Sequence, residues 1–400
     1  MSIKSKKIFA REMQNLDAAG LLRPETAVVQ TEDMKVQFRD KKNVINFIGN
    51  DILGWGSNDK IREAAKASLS SYGTGSTSSR NTIGTLSIIR TLEKELARFL
   101  DMDDCIVFPS NYLTNIGLFE PLTNQYDTIF IDEISNPGLF DGARLSSADV
   151  ITYKHKDYND LEYHLKCSKN SRFRIVVTDG VFNIDGSCAN LERLHKLKED
   201  YDAITIIDDS FGVGILGENG KGTHSHSQIA NKPELITGNF AHALGHVSGG
   251  FVCGDSDLVN WIRQTSRSYI LSEPISPINT AVVLKVIEIL EAKQSESGTE
   301  KTVLERLYSN AQYIKSKMLD KGWAIVRNDY PAASINVGST LNAQKMVEYL
   351  FEDNILVSAF CYPNTPEGAS LLKINLSASH TEEQIDKLIN SIDTALTRLK

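Results

Sequence analysis

A loop of small residues carries a histidine, His242, whose side chain could take part in acid–base chemistry. It lies in GNFAHALGHVSGGFVCGD, residues 238–255, where one apolar segment ends and the chain turns through Ser-Gly-Gly into another. A neutral imidazole in such a loop can act as a general base on a bound substrate. A second candidate is Asp208, at the end of the apolar run AITIIDDS. A buried carboxylate there could hold a cation or serve a structural hydrogen bond.

Two other patterns could bind a ligand, but turns explain both better. Gly212, Gly214 and Gly217 match GxGxxG after the same apolar run. A dinucleotide-binding fingerprint needs a helix that begins at the third glycine, whereas this chain continues ENGKGTHSHS, which is typical of turns. His224 and His226 lie in that segment, and without a third ligand nearby they do not indicate a metal site. We therefore expect neither NAD nor a metal ion.

The elements that position these residues follow from the hydrophobic pattern. Short apolar runs alternate with longer amphipathic ones, which is typical of a mostly parallel sheet covered by helices. The strand candidates are DDCIVFPS, DTIFIDE, DVITYKH, FRIVVTDG, AITIIDDS, LITGNF and GGFVCGD. After residue 276 long helices and further strands follow. We predict an α/β fold with a seven-stranded sheet in a large domain (45–280), and a smaller α+β domain (281–400) on which residues 1–44 pack.

Composition limits the partners. The 400 residues carry a formal net charge of −8 with acidic and basic residues interspersed, so neither a nucleic acid nor an anionic membrane is an expected partner. The five cysteines are scattered, which favours reduced thiols. The charged first twenty residues do not resemble a signal peptide, and no segment reaches the roughly 20 apolar residues of a membrane span. We expect a cytoplasmic protein without a transmembrane segment.

An ordered series of motifs resembles the α-oxoamine synthases over essentially the whole chain. The motifs are YGTG (72–75), Ser79-Arg80 with Gly84-Thr85, DGARLS (141–146), TDGVFNIDG (178–186), IDDS (207–210), GILGENGKG (214–222), the loop 238–255 and SPI (276–278). The family includes serine palmitoyltransferase, 8-amino-7-oxononanoate synthase and 2-amino-3-ketobutyrate CoA ligase. These enzymes use pyridoxal phosphate (PLP) to condense an amino acid with an acyl-CoA. The resemblance implies the fold-type I aminotransferase-like architecture and a dimer with its two sites at the subunit interface.

The resemblance also places His242 where the family has a lysine. That lysine forms a Schiff base with PLP and then moves protons at the substrate Cα. An imidazole cannot form a stable Schiff base. In the same loop Asn239 and Ala241 take the places of a threonine and a serine that help to hold the cofactor phosphate.

Other contacts that the resemblance implies are replaced as well. Asn136 takes the place of a histidine that stacks on the pyridine ring, and Phe211 that of a histidine that bonds the ring hydroxyl. Lys373 matches an arginine that binds the substrate carboxylate, and keeps its charge but not its bidentate fork. The remaining matches are Asp208 for the pyridinium nitrogen, the phosphate-binding turn Ser110, Asn111 and Tyr112, Ser276 for the cofactor and Asn50 for the substrate.

Three functions remain open. The glycines and turns that hold the backbone are kept while the side chains that contact the cofactor are replaced together. This predicts a degenerate PLP site in a pseudoenzyme, either a catalytically inactive homologue or a non-catalytic subunit, with no covalently bound cofactor. An enzyme that binds PLP without a covalent bond and uses His242 as base is one alternative. An acyl-CoA enzyme without PLP, in which His242 acts on a thioester, is the other.

The resemblance predicts an assembly for each of these functions. The protein is expected as a homodimer, or as a heterodimer with a lysine-bearing α-oxoamine synthase. The segment SEPISP, residues 272–277, should approach the neighbouring subunit's pocket near Asn239 and His242.

Overall fold

The N-terminal part of the chain pairs with its C-terminal part. The computed structural model describes residues 3–18, 25–32, 34–76, 78–229, 232–292, 301–326, 330–362 and 365–399. Helix α1 (Ile3–Ala18) precedes an antiparallel meander of β1 (Val28–Glu32), β2 (Lys35–Phe38) and β3 (Val44–Asn46). β3 also pairs in parallel with residues 355–356. Main-chain hydrogen bonds therefore tie residues 44–46 to the last quarter of the chain.

A seven-stranded sheet forms the centre of the molecule. In chain order its strands are β4 (Asp104–Phe108), β5 (Thr128–Asp132), β6 (Asp149–Tyr153), β7 (Arg174–Asp179), β8 (Ile204–Asp208), β9 (Leu235–Asn239) and β10 (Gly250–Gly254). Their spatial order is β4-β10-β9-β8-β7-β5-β6. β10 runs antiparallel to both of its neighbours, and the other pairs are parallel. The prediction of a mostly parallel seven-stranded sheet is confirmed.

Helices cover the sheet, which explains why most of its strands are nearly continuous apolar runs. They are α2 (Asp59–Tyr72), α3 (Arg80–Ile83), α4 (Ser87–Phe99), α5 (Asn111–Ile116), α6 (Phe119–Leu122), α7 (Pro137–Leu145), α8 (Tyr158–Cys167), α9 (Leu191–Tyr201), α10 (Thr223–His226), α11 (Ser256–Thr265), α12 (Arg267–Ile270) and α13 (Pro277–Glu291). Ser276 caps α13, since its Oγ accepts from the Asn279 N–H and Pro277 takes the first helical position. No helix in the described part of the chain is long and apolar enough to cross a bilayer.

A smaller α+β unit follows α13. It contains α14 (Val303–Asp320), β11 (Ala332–Gly338), α15 (Thr340–Glu352), β12 (Ile355–Leu356), β13 (Ser358–Phe360), β14 (Ser370–Asn375) and α16 (Glu382–Arg398). β14 is the central strand of an antiparallel sheet between β11 and β13, and β12 is the strand that pairs with β3. The domain boundaries at residues 44 and 280 stay predictions.

The carboxyl edge of the large sheet collects the polar residues. The parallel strands β5, β7 and β8 end at Asp132, Asp179 and Asp208, and β9 ends at Asn239. Ligands of open α/β sheets bind outside this edge. After β8 the chain forms the turns expected of GILGENGKG: at Gly220, φ is +79° and an added Cβ would lie 2.7 Å from the Gly214 carbonyl carbon. The small unit contributes β14, which brings Lys373 to the same edge.

Candidate active site

The loop that carries His242 is organised by the residue that ends β9. The side-chain Oδ1 of Asn239 accepts hydrogen bonds from the main-chain N–H of Ala241 at 3.0 Å and of His242 at 3.2 Å. Such an Asx turn gives the backbone a fixed bend without a helix or strand. Asn239 itself is buried. It therefore sets the position of the His242 side chain relative to the sheet.

The imidazole of His242 is held at its Nδ1 atom. This atom lies 3.0 Å from the carbonyl oxygen of Ser210 and 3.2 Å from Nδ2 of Asn239. We assign the proton to Nδ1 from the shorter contact, so that Nδ1–H donates to the carbonyl and Nε2 keeps its lone pair. Burial lowers the pKa of His242 to about 4; the hydrogen bond to Ser210 opposes this, and the positive charge of Lys373 adds to it. The ring is therefore neutral at physiological pH.

Phe211 lies between His242 and the small unit. Its ring stacks on the imidazole with centroids 4.3 Å apart and an interplanar angle of 28°. The Nζ atom of Lys373 lies 5.5 Å from the centroid of the same ring, within the range of a cation–π contact. The Tyr330 ring approaches Phe211 edge-on at 6.3 Å. Three residues singled out in the sequence, His242, Phe211 and Lys373, are thus brought together.

Lys373 is a buried lysine, with 7% of its surface exposed. Its Nζ donates to the carbonyl oxygen of Asn183 at 2.6 Å and also to Oδ1 of Asn183. The ring of Phe360 lies 5.3 Å away. Burial lowers the pKa of Lys373 to about 8, and the charge of Asp185 opposes the shift. The amine is therefore largely charged at pH 7 and largely neutral above pH 8. Nothing in the sequence pointed to Asn183.

Asp208 is buried at the end of β8, with 2% of its surface exposed. Its Oδ2 accepts from Nδ2 of Asn115 at 3.1 Å and from Nδ2 of Asn136 at 3.2 Å, and its Oδ1 accepts from the Ser210 N–H at 3.0 Å. Burial raises the pKa of Asp208, while these hydrogen bonds oppose the shift. Sequence reasoning missed Asn115, because one amide in a six-residue helix leaves no periodic signal.

Asn136 connects two neighbouring carboxylates. Its side chain donates to Asp208, and its main-chain N–H donates to Oδ1 of Asp179 at 2.9 Å. Its Oδ1 accepts from the Gly138 N–H at 2.9 Å and caps α7. Burial, and then the charge of Asp208, raise the pKa of Asp179 well above its ordinary range. Asn136, which the resemblance places at a ring-stacking position, is therefore a hydrogen-bonded bridge between Asp208 and Asp179.

The remaining predicted residues have mainly local contacts. Ser110 caps α5, with its Oγ accepting from the Leu113 N–H at 3.2 Å, and the exposed Tyr112 donates its hydroxyl to Asp141 at 3.1 Å. Asn50 is exposed, and its carbonyl accepts from the Ile52 N–H at 2.9 Å. Ser276 is the cap of α13. Among the described residues, none of these hydrogen bonds reaches His242 or Asp208.

Buried polar atoms around Asp208 lack partners, which provides a test of whether PLP fits. Oδ1 of Asn115 and Oγ1 of Thr237 are buried without a hydrogen-bond partner. Asn115 donates to Asp208, and Thr237 is the residue of β9 that pairs with Asp208 of β8. An unsatisfied buried polar atom costs about 1–3 kcal/mol unless water or a ligand satisfies it. A buried carboxylate beside orphaned polar atoms fits a polar, cationic ring such as a protonated pyridine.

Comparisons with known proteins agree with one another. Residues 42–392 match the family model described as aminotransferase class I and II. The 2-amino-3-ketobutyrate coenzyme A ligase of Salmonella typhimurium is 34% identical over 387 residues, 96% of each chain. The 8-amino-7-oxononanoate synthase of Thermosipho melanesiensis is 31% identical over 379 residues, 95% of each chain.

Solved structures show the same fold. Serine palmitoyltransferase from S. paucimobilis with a bound PLP–myriocin aldimine superposes with a TM-score of 0.89 at 23% identity, over 100% of this chain and 99% of that one. A structure of SPT with PLP internal aldimine superposes equally well, with the same TM-score, identity and coverage. The resemblance to the α-oxoamine synthases and the fold-type I architecture with its smaller C-terminal domain are confirmed.

Two predictions are wrong. The prediction of a pseudoenzyme fails because the relatives matched along nearly the whole chain are enzymes, a ligase and a synthase. The prediction of a site without a covalently bound cofactor, in which PLP binding is doubtful, conflicts with PLP-bound neighbours of the same fold. The physical reason is that the inference weighed only the side chains that are replaced. The buried Asp208 carboxylate and the unpartnered polar atoms of Asn115 and Thr237, which fit a cationic ring, were left out of that inference.

Proposed function

The chain belongs to the aminotransferase class I and II family, among the α-oxoamine synthases, and we propose that it is a PLP-dependent transferase in which His242 moves the substrate proton. It would join an amino acid to an acyl-CoA. The observation that carries the proposal is the neutral imidazole of His242, oriented by the Ser210 carbonyl two residues beyond Asp208. The candidate base thus contacts the short segment that begins with the buried Asp208.

Asp208 would hold the cofactor ring in this proposal. PLP, when bound, supplies an electron sink that stabilises negative charge at the carbon from which a proton is removed. A cationic ring nitrogen would offset the cost of burying the Asp208 carboxylate, which Asn115 and Asn136 already orient. The cofactor phosphate is assigned to the turn at Ser110, Asn111 and Tyr112, and to Asn239 and Ser276.

His242 would accept the proton at Nε2. The Ser210 carbonyl fixes the Nδ1–H tautomer and stabilises the imidazolium that forms, as an orienting acceptor does for other catalytic histidines. Phe211 covers one face of the ring and limits its rotation. General base catalysis of this kind contributes about 10²–10⁴-fold to a rate.

The substrate carboxylate would face Lys373 and Asn50. An ammonium group binds a carboxylate as a point charge rather than through a two-pronged fork, so orientation must come partly from other groups. Because Lys373 touches the Phe211 ring that covers His242, an amino acid held there would present its Cα near the base.

We further propose a dimer in the cytoplasm. The segment 272–277 would approach the partner's pocket near Asn239 and His242. The resemblance to the α-oxoamine synthases, whose sites lie at the subunit interface, supports this arrangement. A homodimer is the simpler assembly, and a heterodimer with a lysine-bearing relative is the alternative. None of the five cysteines, all of which lie in the described part of the chain, forms a disulfide, in line with a reducing compartment.

The test measures cofactor binding and turnover separately. PLP is titrated into the purified protein and followed by absorbance, and release of the CoA thiol is then measured with acetyl- or palmitoyl-CoA and glycine, alanine or serine. His242→Ala should lower the rate about 10²–10⁴-fold, whereas His246→Ala, an exposed histidine of the same loop, should not. If the parent protein shows neither PLP binding nor turnover, the proposal is refuted. Thiol release that does not need PLP would favour direct action of His242 on the thioester.

A further inference from the structure

The lysine of the α-oxoamine synthases combines two roles that this chain cannot combine. One is the formation of an imine with the cofactor aldehyde, and the other is proton transfer at the substrate. His242 can perform only the second, because an imidazole forms no stable imine. If the proposed function is right, the first role falls to no residue of loop 238–255, since that loop contains no lysine.

Lys373 is the amine that the fold brings to His242. It is the one lysine that is buried among the described residues. Its Nζ and the His242 imidazole both contact the ring of Phe211, at 5.5 Å and 4.3 Å from the ring centroid. The amine enters from β14, on the small unit, whereas the imidazole enters from the loop after β9.

We propose that Lys373 forms the imine with the cofactor aldehyde, so that His242 and Lys373 divide between two side chains the roles of a single lysine. The inference rests on the proposed function, because it assumes that PLP binds at Asp208. It goes further by naming the nucleophile and by placing it in the other structural unit.

The surroundings of Lys373 suit a nucleophilic amine. Its two hydrogen-bond acceptors, the carbonyl oxygen and Oδ1 of Asn183, are both neutral, so neither fixes it as an ammonium ion as a carboxylate would. Two aromatic rings, Phe211 and Phe360, replace water around it. Burial of this kind lowers the pKa of a lysine and is how proteins activate amines. The pKa of about 8 leaves a usable neutral fraction at physiological pH.

The step needs no oxidant or reductant. The neutral Nζ adds to the aldehyde carbon, the two N–H protons and the aldehyde oxygen leave as water, and a carbon–nitrogen double bond remains. When the amino acid arrives, its own amine displaces Nζ by exchange at the same carbon. Lys373 then takes up a proton and becomes a cation beside the substrate carboxylate. The residue can therefore serve first as nucleophile and later as the carboxylate partner.

The experiment is reductive trapping followed by peptide mapping. The full-length protein is saturated with PLP, reduced with borohydride, denatured and digested, and the modified peptide is identified by mass spectrometry. We expect one dominant adduct, on Lys373. Trapping should fall about tenfold for each pH unit below the amine's pKa of about 8.

Three variants separate the roles. Lys373→Gln and Lys373→Arg should both lose the adduct, and the arginine variant keeps the charge in case glutamine impairs folding. His242→Ala should keep the adduct while losing turnover. Lys66→Gln, on the exposed surface of α2, should change neither.

PLP that binds without an adduct on Lys373, or with adducts spread over surface lysines, overturns this inference and leaves the proposed function standing. Failure of PLP to bind, measured by equilibrium dialysis before reduction, overturns both. The peptide map of the parent protein decides the question even if every Lys373 variant is unstable.

Discussion

The imidazole of His242 stacks on the ring of Phe211 while its Nδ1 atom lies 3.0 Å from the Ser210 carbonyl. The two contacts restrain the ring in different ways, one across its face and the other at its edge. Both come from consecutive residues at the end of β8, directly after Asp208 and Asp209. The orientation of the candidate base is therefore set by the same short segment that places the candidate acid.

Removing the Phe211 ring should change the acidity of His242. In Phe211→Ala water reaches the uncovered face of the imidazole, so the pKa of about 4 should rise toward the ordinary value. The proton resonances of the His242 ring, followed by NMR as a function of pH, would show the shift. Phe211→Leu keeps the bulk and should keep the low pKa. An alanine variant that titrates like the parent would show that Phe211 is not the cause.

Asp208→Asn should affect the apoprotein and ligand binding in opposite directions. Burial raises the pKa of Asp208, so the folded state binds its proton more tightly than the unfolded state does. Its contribution to stability is therefore present at low pH and lost as pH rises above the unfolded value. At pH 7 the neutral amide should raise the urea midpoint of the apoprotein and weaken PLP binding. Asp200→Asn, on the exposed surface of α9, is the matched control.

Asn183→Asp should make the Lys373 amine harder to deprotonate. The substitution replaces a neutral acceptor of Nζ with a carboxylate, which favours the ammonium form and raises the pKa above about 8. The pH at which borohydride trapping reaches half its maximum should move upward. Asn183→Ala keeps only the main-chain acceptor and should not move it upward. If the pH of half-maximal trapping is the same in all three proteins, Asn183 does not influence the pKa of Lys373.

His155 should make stability fall at alkaline pH. Burial opposes its protonation, but the hydrogen bonds that the ring donates to Asp132 and Asp185 outweigh burial and raise the pKa to about 9. The stabilisation is thus fully present below the ordinary value of 6.5 and is lost as pH rises through 9. Urea midpoints at several pH values should fall more steeply across this window in the parent than in His155→Gln. Parallel curves for the two proteins would contradict the assignment.

The buried ion pair between Arg80 and Glu93 should matter far more than an exposed one. Arg80 Nη1 lies 2.5 Å from Glu93 Oε1, and the guanidinium also bonds the Tyr269 hydroxyl and the Val107 carbonyl. Arg80→Ala removes the buried partner of Glu93 and leaves the carboxylate only the part-exposed Arg90, at 2.8 Å, as an ion-pair partner. We therefore expect a loss toward the lower end of about 3–5 kcal/mol. Arg98→Ala, which breaks largely exposed pairs, should cost about 1 kcal/mol or less in the same denaturation assay. Similar losses would contradict the role assigned to burial.

The features of the fold that follow from a repeating hydrophobic pattern could be predicted from the sequence. Seven apolar runs became the seven strands, and the position of Asp208 at the end of one of them followed from that pattern. Asn115 and Asn183 could not be predicted, because the contacts of a single amide depend on which distant side chain the fold brings to it. The approach of Lys373 to Phe211 depends on how β14 meets the large sheet, which no local pattern encodes. The pKa shifts depend on how deeply the fold buries each group, so they could not be predicted from the sequence either.

The wrong inference about catalysis has a physical cause as well. An inference from the replaced side chains alone assumes that no other residue takes over their roles, whereas a site can move a role to another residue. Asn136 illustrates the point: as a substitute for a stacking ring it is poor, yet in the fold it joins Asp208 to Asp179. Such a bridge cannot be predicted until it is known that β7 and β8, which end at Asp179 and Asp208, are neighbours in the sheet.

The acceptor that orients His242 is a main-chain carbonyl. A side chain in that role could be lost by one nucleotide change, but every amino acid at position 210 supplies the same carbonyl oxygen. A substitution at position 210 should therefore not change the tautomer of His242, as long as the turn after β8 keeps its conformation. Related sequences can therefore carry different residues at position 210 and still keep Nε2 of the histidine as the basic nitrogen.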